Sequence, residues 1–214
     1  DMCGRYTLSS PDDLLAELFE LEERPELAPR YNIAPTQEAP VVRILEPGGS
    51  RSLEELRWGL VPFWAKDPDI GNRMINARAE TVAEKPSFRT SFKRRRCLVA
   101  ADGFYEWQAA GGPKQPHHCR LKGGRPFGIA GLWDRWEKGE GPLETFTLLT
   151  IEPNELLAPI HPRMPVILRP EDHAVWLDPE LEDPARLEEL LQPYPAEEME
   201  AYPVSRFVNS PGND

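Results

Sequence analysis

Leucines at positions 14, 15, 18 and 21 recur at helical spacing and predict an amphipathic helix. Ser10-Pro11-Asp12-Asp13 ahead of them reads as its start, with Ser as N-cap, Pro at the first helical position and two acids facing the positive end of the dipole. Asp183-Pro184 opens a second helix the same way, with Leu187, Leu190 and Leu191 inward and Pro193 as its stop. Elsewhere the apolar runs are too short for helices. Val41–Leu45, Cys97–Ala100, Pro126–Trp133, Thr145–Ile151 and Pro165–Leu168 are rich in β-branched or aromatic residues and predict strands. Pro47-Gly48-Gly49-Ser50 and Gly111-Gly112-Pro113 read as hairpin loops. No repeat and no linker divides the chain. The pattern predicts an α+β fold: one domain over 1–209, a mostly antiparallel twisted β core with short flanking helices, and a loose tail over 210–214.

Composition sharpens this picture. Proline accounts for 24 of the 214 residues, where average usage of about 5% would give about 11. That density breaks long helices and favours an irregular fold with many turns. No apolar run approaches the roughly 18 residues a membrane helix needs, and no signal-like segment opens the chain. The three cysteines, Cys3, Cys97 and Cys119, are too few and odd in number for a disulfide framework. A cytoplasmic monomer with no membrane contact is expected, lying at the nucleoid if the source is bacterial.

Net charge is −11, which taken whole argues against a nucleic-acid partner. Its distribution argues otherwise. Residues 56–100 hold 10 Lys/Arg against 4 acids, whereas residues 101–214 hold 10 against 20. Local field decides binding, so a basic middle segment keeps a phosphate partner open. The run Lys93–Arg96 taken alone reads as a solvated face.

The chemistry starts at Met2-Cys3-Gly4-Arg5-Tyr6. Initiator Met is generally removed before a small residue, which would leave Cys3 as the N-terminus. An N-terminal cysteine offers an amine (reference pKa about 7.7–8.0) and a thiol (about 8.5) on adjacent carbons, both usable near neutrality. Such a pair condenses with aldehydes, the amine forming a Schiff base and the thiol closing a thiazolidine. Asp1 precedes Met2 and reads as a cloning remnant; with both residues retained the α-amine would be tied up in a peptide bond. Further along, Asn76, Glu106 and His161 each stand among apolar, strand-like neighbours, as side chains presented to a cleft do. Separately each also has a structural reading: a turn amide, an arginine partner and a core histidine. His117-His118-Cys119 on a strand would alternate faces and offer at most two ligands to one ion, so no metal and no cofactor is expected.

Together these segments resemble the SRAP (SOS-response-associated peptidase) family. The matches are Met2–Tyr6, Tyr31–Thr36, Trp58–Trp64, Asn76–Thr81, Gly103–Trp107, Ile160–Leu168 and Val204–Asn209, in family order and over nearly the whole chain. The resemblance implies an SRAP-like domain and an enzyme that processes abasic sites in single-stranded DNA through a covalent crosslink. It places the thiazolidine on Cys3, proton transfer during amine addition on Glu106, proton handling at the sugar oxygen on His161, and a hydrogen bond to the sugar or thiazolidine on Asn76. Arg5, Arg78 and Arg163 are the phosphate-clamp candidates. Pro35 and Trp64 fall where the family wedges bases apart; Trp58 reads equally as a stacking residue or a core tryptophan. Autoprocessing, with Cys3 as nucleophile and His161 or Glu106 as base, is a secondary activity the family name implies.

Two other classes stay in view. N-terminal-nucleophile amidotransferases also open with Met-Cys-Gly, but this chain lacks their glutamine-binding His-Thr-Arg and Asn-Gly-Glu segments. A non-covalent single-strand binding module would leave Glu106 and His161 idle.

Overall fold

The structure, a computed structural model, describes residues 3–214. Asp1 and Met2, and with them the expectation that Met2 is removed, lie outside the described residues. In chain order the strands are β1 (Tyr6–Leu8), β2 (Arg30–Ile33), β3 (Glu38–Arg43), β4 (Ser52–Trp58), β5 (Asn76–Arg78), β6 (Arg96–Ala101) and β7 (Gly103–Gln108). They continue with β8 (Gln115–Leu121), β9 (Phe127–Trp136), β10 (Leu143–Ile151), β11 (Met164–Pro165), β12 (Ile167–Leu168) and β13 (Met199–Pro203). The helices are short: α1 (Asp12–Leu18), α2 (Arg89–Arg94), α3 (His173–Leu177) and α4 (Pro184–Glu188). None is long and apolar enough to cross a membrane.

Two sheets form one α+β domain. The first has the order β13-β8-β7-β1-β2 and is antiparallel throughout. In the second, β10 pairs with β4, β4 with β3, β3 with β6, β6 with β9, and β9 with β10 again. That closed ring leaves its members no free edge, which removes the pairing hazard of an open sheet. Its parallel pairs are β10 with β4 and β10 with β5. The core lies inside the ring and between the sheets. There Trp58 is wholly buried, edge-on to Tyr6 at 5.2 Å and stacked on Phe146 at 6.2 Å.

All five predicted strands form, since their runs pack on two sides: every residue of β6 is buried. The run 165–168 is divided between β11, paired to β10, and β12, paired to the neighbouring strand β9. The two glycine-containing turns close the β3–β4 and β7–β8 hairpins as expected. Asp183 caps α4, accepting from the Ala185 N–H at 3.1 Å. Ser10, expected to cap α1, does not. Pro11 occupies that position with extended backbone, and the Ser10 hydroxyl donates to Asp102 at 2.8 Å.

Two further expectations are corrected. The tail over 210–214 is tied down. The Asn32 amide donates to the carbonyls of Ser210 (2.9 Å) and Asn213 (3.0 Å), and Asp214 accepts from the Asn32 N–H at 2.7 Å. The run Lys93–Arg96 is not simply a solvated face either. Arg96 is buried and donates to the backbone carbonyls of Phe92, Lys93, Trp176, Asp178 and Leu181, pinning the segments after α2 and α3. Arg95 pairs with Asp134 and Arg94 with Glu182. Much of the positive charge in this run is therefore spent within the fold.

Candidate active site

β7 alternates across its sheet. Phe104 and Glu106 point into the core, while Tyr105 and Trp107 point out. β1 pairs beside it, Tyr6 opposite Phe104, and the Tyr105 N–H bonds to the Arg5 carbonyl at 3.0 Å. This register carries the chain start past Glu106. β5 brings the third element, because its parallel pairing sets Asn76 opposite Leu148 of β10. From there the Asn76 amide donates to the Cys3 carbonyl at 3.1 Å. The loop after β10 supplies His161, whose Nδ1 lies 3.5 Å from Glu106 Oε2.

Four residues far apart in sequence thus meet. Glu106, His161, Pro35 and Arg5 line a cleft of about 380 Å³, joined there by Trp107, Lys114 and Asn209, and Cys3 lies wholly buried beside Glu106. Burial pushes the Cys3 thiol well above its usual pKa, and the Glu106 carboxylate adds to the effect. The thiol therefore stands neutral and needs a base to become a nucleophile. Glu106 itself is 1% exposed, and its Oε2 has no hydrogen bond among the described residues. Burial lifts its carboxyl well above the usual carboxylate range, towards the values that suit proton transfer near neutrality. His161 is shifted the other way. Burial lowers its pKa, and the charge of Lys114 adds to this, so the ring stays neutral. The Arg163 N–H donates to its Nδ1 at 3.2 Å, which fixes the ring.

The binding candidates divide. Pro35 lies on the cleft wall, and the next residue, Thr36, has φ of 73°. A β-branched residue in the left-handed region is strained by about 1–3 kcal/mol, a cost tolerated where the turn must present its neighbour. Arg78 is exposed, shares the face of β5 with Asn76 two residues before it, and has no ion pair among the described residues. Trp64 is 42% exposed beside the exposed Phe63. It lines a neighbouring hollow with Lys66 and Arg73 rather than the cleft itself. Arg5 lines the cleft, but its guanidinium is held by the carbonyls of Val208 (2.7 Å) and Asn209 (3.0 Å).

Two candidates are corrected. Trp58 is a core residue, its indole N–H bonded to the Ile75 carbonyl at 2.9 Å, and it has no face for a base. Arg163 is 6% exposed and forks onto Glu80 through two bonds of 2.7 Å while donating to the Thr150 carbonyl at 2.8 Å. Its donors serve the loop that carries His161, not a phosphate.

Sequence reasoning passed over Lys114, Trp107 and Asn209. Trp107 and Asn209 lie inside matched segments, and the Trp107 indole N–H donates to the Asn209 side chain at 2.8 Å. The period-2 alternation around Glu106 was the available signal for Trp107. Lys114 closes the hairpin turn after Gly111-Gly112-Pro113, and only the fold places it near His161. His117-His118-Cys119 lie on β8 and alternate as a strand requires, with Cys119 buried opposite Phe104. Among the described residues no group of three His, Cys, Asp or Glu side chains could hold a metal ion.

The family model described as SOS response associated peptidase (SRAP) matches residues 2–211. The abasic site processing protein YoqW of Bacillus subtilis (strain 168) is 49% identical over 219 residues, covering 100% of this chain and 96% of the relative. The abasic site processing protein HMCES of Gallus gallus is 38% identical over 218 residues, with 87% of this chain and 64% of that protein covered. Among solved structures, a Bacteroides thetaiotaomicron protein superposes with a TM-score of 0.86 at 30% identity, covering 99% of this chain and 97% of the other. A phage-related protein from Bordetella bronchiseptica gives 0.75 at 31% identity, with 94% of each chain covered. The chain belongs to the SRAP family.

Proposed function

We propose that this protein processes abasic sites in single-stranded DNA by a covalent crosslink through Cys3. The observation that carries the reading is the meeting of four residues: Glu106 and His161 line the cleft, the buried Cys3 thiol lies beside the buried Glu106 carboxyl, and the Asn76 amide holds the Cys3 carbonyl. The names of the relatives support the substrate class. With Cys3 at the chain start, its α-amine adds to the aldehyde carbon of the ring-opened deoxyribose, and loss of water leaves an imine. The sulfur then bonds to the imine carbon as the thiol proton passes to nitrogen. The product is a five-membered thiazolidine, formed with the net release of one water.

Glu106 takes the proton from the attacking amine and returns it to the departing hydroxyl, for which its raised pKa is suited. His161 exchanges a proton with the sugar oxygen during ring opening and crosslink reversal. Asn76 steadies the reacting residue through its carbonyl. Arg78 contacts a phosphate, and Pro35 and Trp64 part the neighbouring bases. Hydrolytic removal of the residues ahead of Cys3 is a secondary activity, supported by the family's description as a peptidase.

The test is incubation of protein beginning at Cys3 with single-stranded DNA carrying one abasic site. A heat-stable shifted band on a denaturing gel is expected, absent with intact DNA and absent for Cys3→Ala. A thiazolidine mass that persists in Cys3→Ala would overturn the assignment.

A further inference from the structure

The outward face of the first sheet carries a row of rings, three lying across its strands and the fourth continuing along β7. Tyr202 of β13 and His118 of β8 have centroids 5.4 Å apart; His118 and Tyr105 of β7 are 5.1 Å apart; Tyr105 and Trp107 are 6.4 Å apart. A guanidinium flanks each end: Arg120 lies 5.4 Å from the Tyr202 ring and Arg5 lies 5.7 Å from the Trp107 ring. The row is built rather than incidental. His118 bonds to the Tyr202 hydroxyl at 2.9 Å, and Tyr105 donates to the Tyr31 carbonyl at 2.7 Å. Gly103 is required beneath it, since a Cβ there would stand 2.2 Å from His118 Nε2. Helix α1 reaches the rim of this face through Leu14. A hollow of about 540 Å³ lies over Tyr105, His118 and Tyr202, walled by the Ser9–Pro11 turn and by the turn that leads into β9. Trp107 and Arg5, at one end of the row, also line the Cys3 cleft.

Rings borne on a sheet, here the exposed Tyr202 and the half-buried His118, Tyr105 and Trp107, are stacking platforms for unpaired bases, tolerant of sequence because every base has a π-face. The acids on this face are already engaged. Asp102 accepts from Thr7, Ser9 and Ser10, Asp214 beside Tyr105 accepts from the Tyr31 and Asn32 N–H groups, and Glu200 pairs with Arg120 at 3.1 Å. The geometry points to a second subsite for the substrate strand: on one side of the lesion, nucleotides leaving the Cys3 cleft pass Trp107 and stack on Tyr105, His118 and Tyr202. This rests on the reading of single-stranded DNA as substrate. With Arg120 shared with Glu200, the subsite works by stacking more than by charge, so its contribution changes little with salt.

Tyr202, the ring farthest from the cleft, gives the test. Intact fluorescent single strands of about 5 and about 15 nucleotides bracket the cleft alone and the cleft plus the sheet face. Tyr202→Ala is expected to weaken the longer strand about 10-fold while leaving the shorter one unchanged, and Tyr202→Phe to keep the affinity because it keeps the ring. Equal binding of the longer strand by the wild type and Tyr202→Ala overturns the subsite. Should Tyr202→Ala fail to fold, iodouracil photocrosslinking in the wild type decides. Adducts on the peptides carrying β8 or β13 support the subsite, and adducts confined to the cleft overturn it. Covalent capture of a short abasic strand, measured in parallel, separates this idea from its foundation. Capture without a length effect removes only the subsite, and a length effect without capture removes only the covalent reading.

Discussion

Asp102 and Glu106 are buried carboxyl groups four residues apart, and the fold treats them in opposite ways. Asp102 accepts from the Thr7 hydroxyl at 2.7 Å, from the backbone N–H groups of Ser9 (2.7 Å) and Ser10 (2.8 Å), and from the Ser10 hydroxyl at 2.8 Å. Both its oxygens are used to fasten the chain between β1 and α1. Glu106 faces a thiol, an imidazole at 3.5 Å and a cleft, with one oxygen lacking any hydrogen bond among the described residues. Burial alone therefore does not mark a catalytic acid. A carboxylate whose lone pairs are matched by donors serves as a structural clamp, whereas one left under-matched beside a thiol is available for the proton transfer proposed above.

Exchanging each for a neutral residue should break the comparison if it is mistaken. Glu106→Gln is expected to slow crosslinking about 10²- to 10⁴-fold, the usual weight of general acid–base catalysis, with the fold intact. Single-turnover rates on denaturing gels and thermal melts of the same preparation check both halves. Asp102→Ala should behave inversely. Several donors around it lose their acceptor, costing roughly 2–4 kcal/mol in urea unfolding, while crosslinking by the remaining folded protein stays within a few-fold of wild type. A rate loss in Asp102→Ala as deep as in Glu106→Gln would dissolve the distinction.

The same question of matched and unmatched groups explains what could be read from the sequence. Helix α4 and four of the five ring strands, β3, β6, β9 and β10, were legible because local rules set them: a capped Asp-Pro start, and runs that pack on two sides. Strand β4 was not, since Ser52-Leu53-Glu54-Glu55-Leu56-Arg57-Trp58 has no run of branched or aromatic residues. It is a strand because β3 and β10 pair on either side of it. Cys3, Asn76, Glu106 and His161 were legible only jointly, through a resemblance over the whole chain, and the fold brings them together. Arg78 and Arg163 looked alike in sequence as cations in matched segments. Telling them apart requires knowing that Glu80 comes within 2.7 Å of one guanidinium.

That pair of arginines sharpens the comparison at lower amplitude. Arg163→Ala orphans a half-exposed Glu80 and loosens the His161 loop, so it should cost about 2 kcal/mol of stability. Its effect on the salt dependence of DNA binding should be negligible. Arg78→Ala should leave the melting temperature in place, weaken damaged and undamaged single strands alike by several-fold, and reduce the salt slope by about one phosphate contact. Binding titrations across a salt series decide. An unchanged slope in Arg78→Ala moves that residue into the structural class occupied by Arg163.

The smallest expected effect follows from the pH dependence of stability. An acid whose folded pKa lies above its unfolded value keeps its proton in the native state over a range where the unfolded chain has released it. In that range the native state binds more protons, so stability falls as pH rises. For Glu106 the fall begins near the ordinary value of 4.5 and continues until its raised native pKa is passed. His161 works with the opposite sign. Its native pKa lies below the ordinary 6.5, so stability is lost as pH drops beneath that value and the unfolded chain takes up a proton. The two slopes partly cancel in the wild type, which hides both. Glu106→Gln removes one of them. Relative to wild type, the variant should therefore be more stable at about pH 8 than at about pH 5, because glutamine never carries the buried charge. Urea unfolding of both proteins at the two pH values gives the difference directly. A wild-type-to-variant gap that does not change with pH would mean that Glu106 titrates like an exposed carboxylate and is as well matched by donors as Asp102.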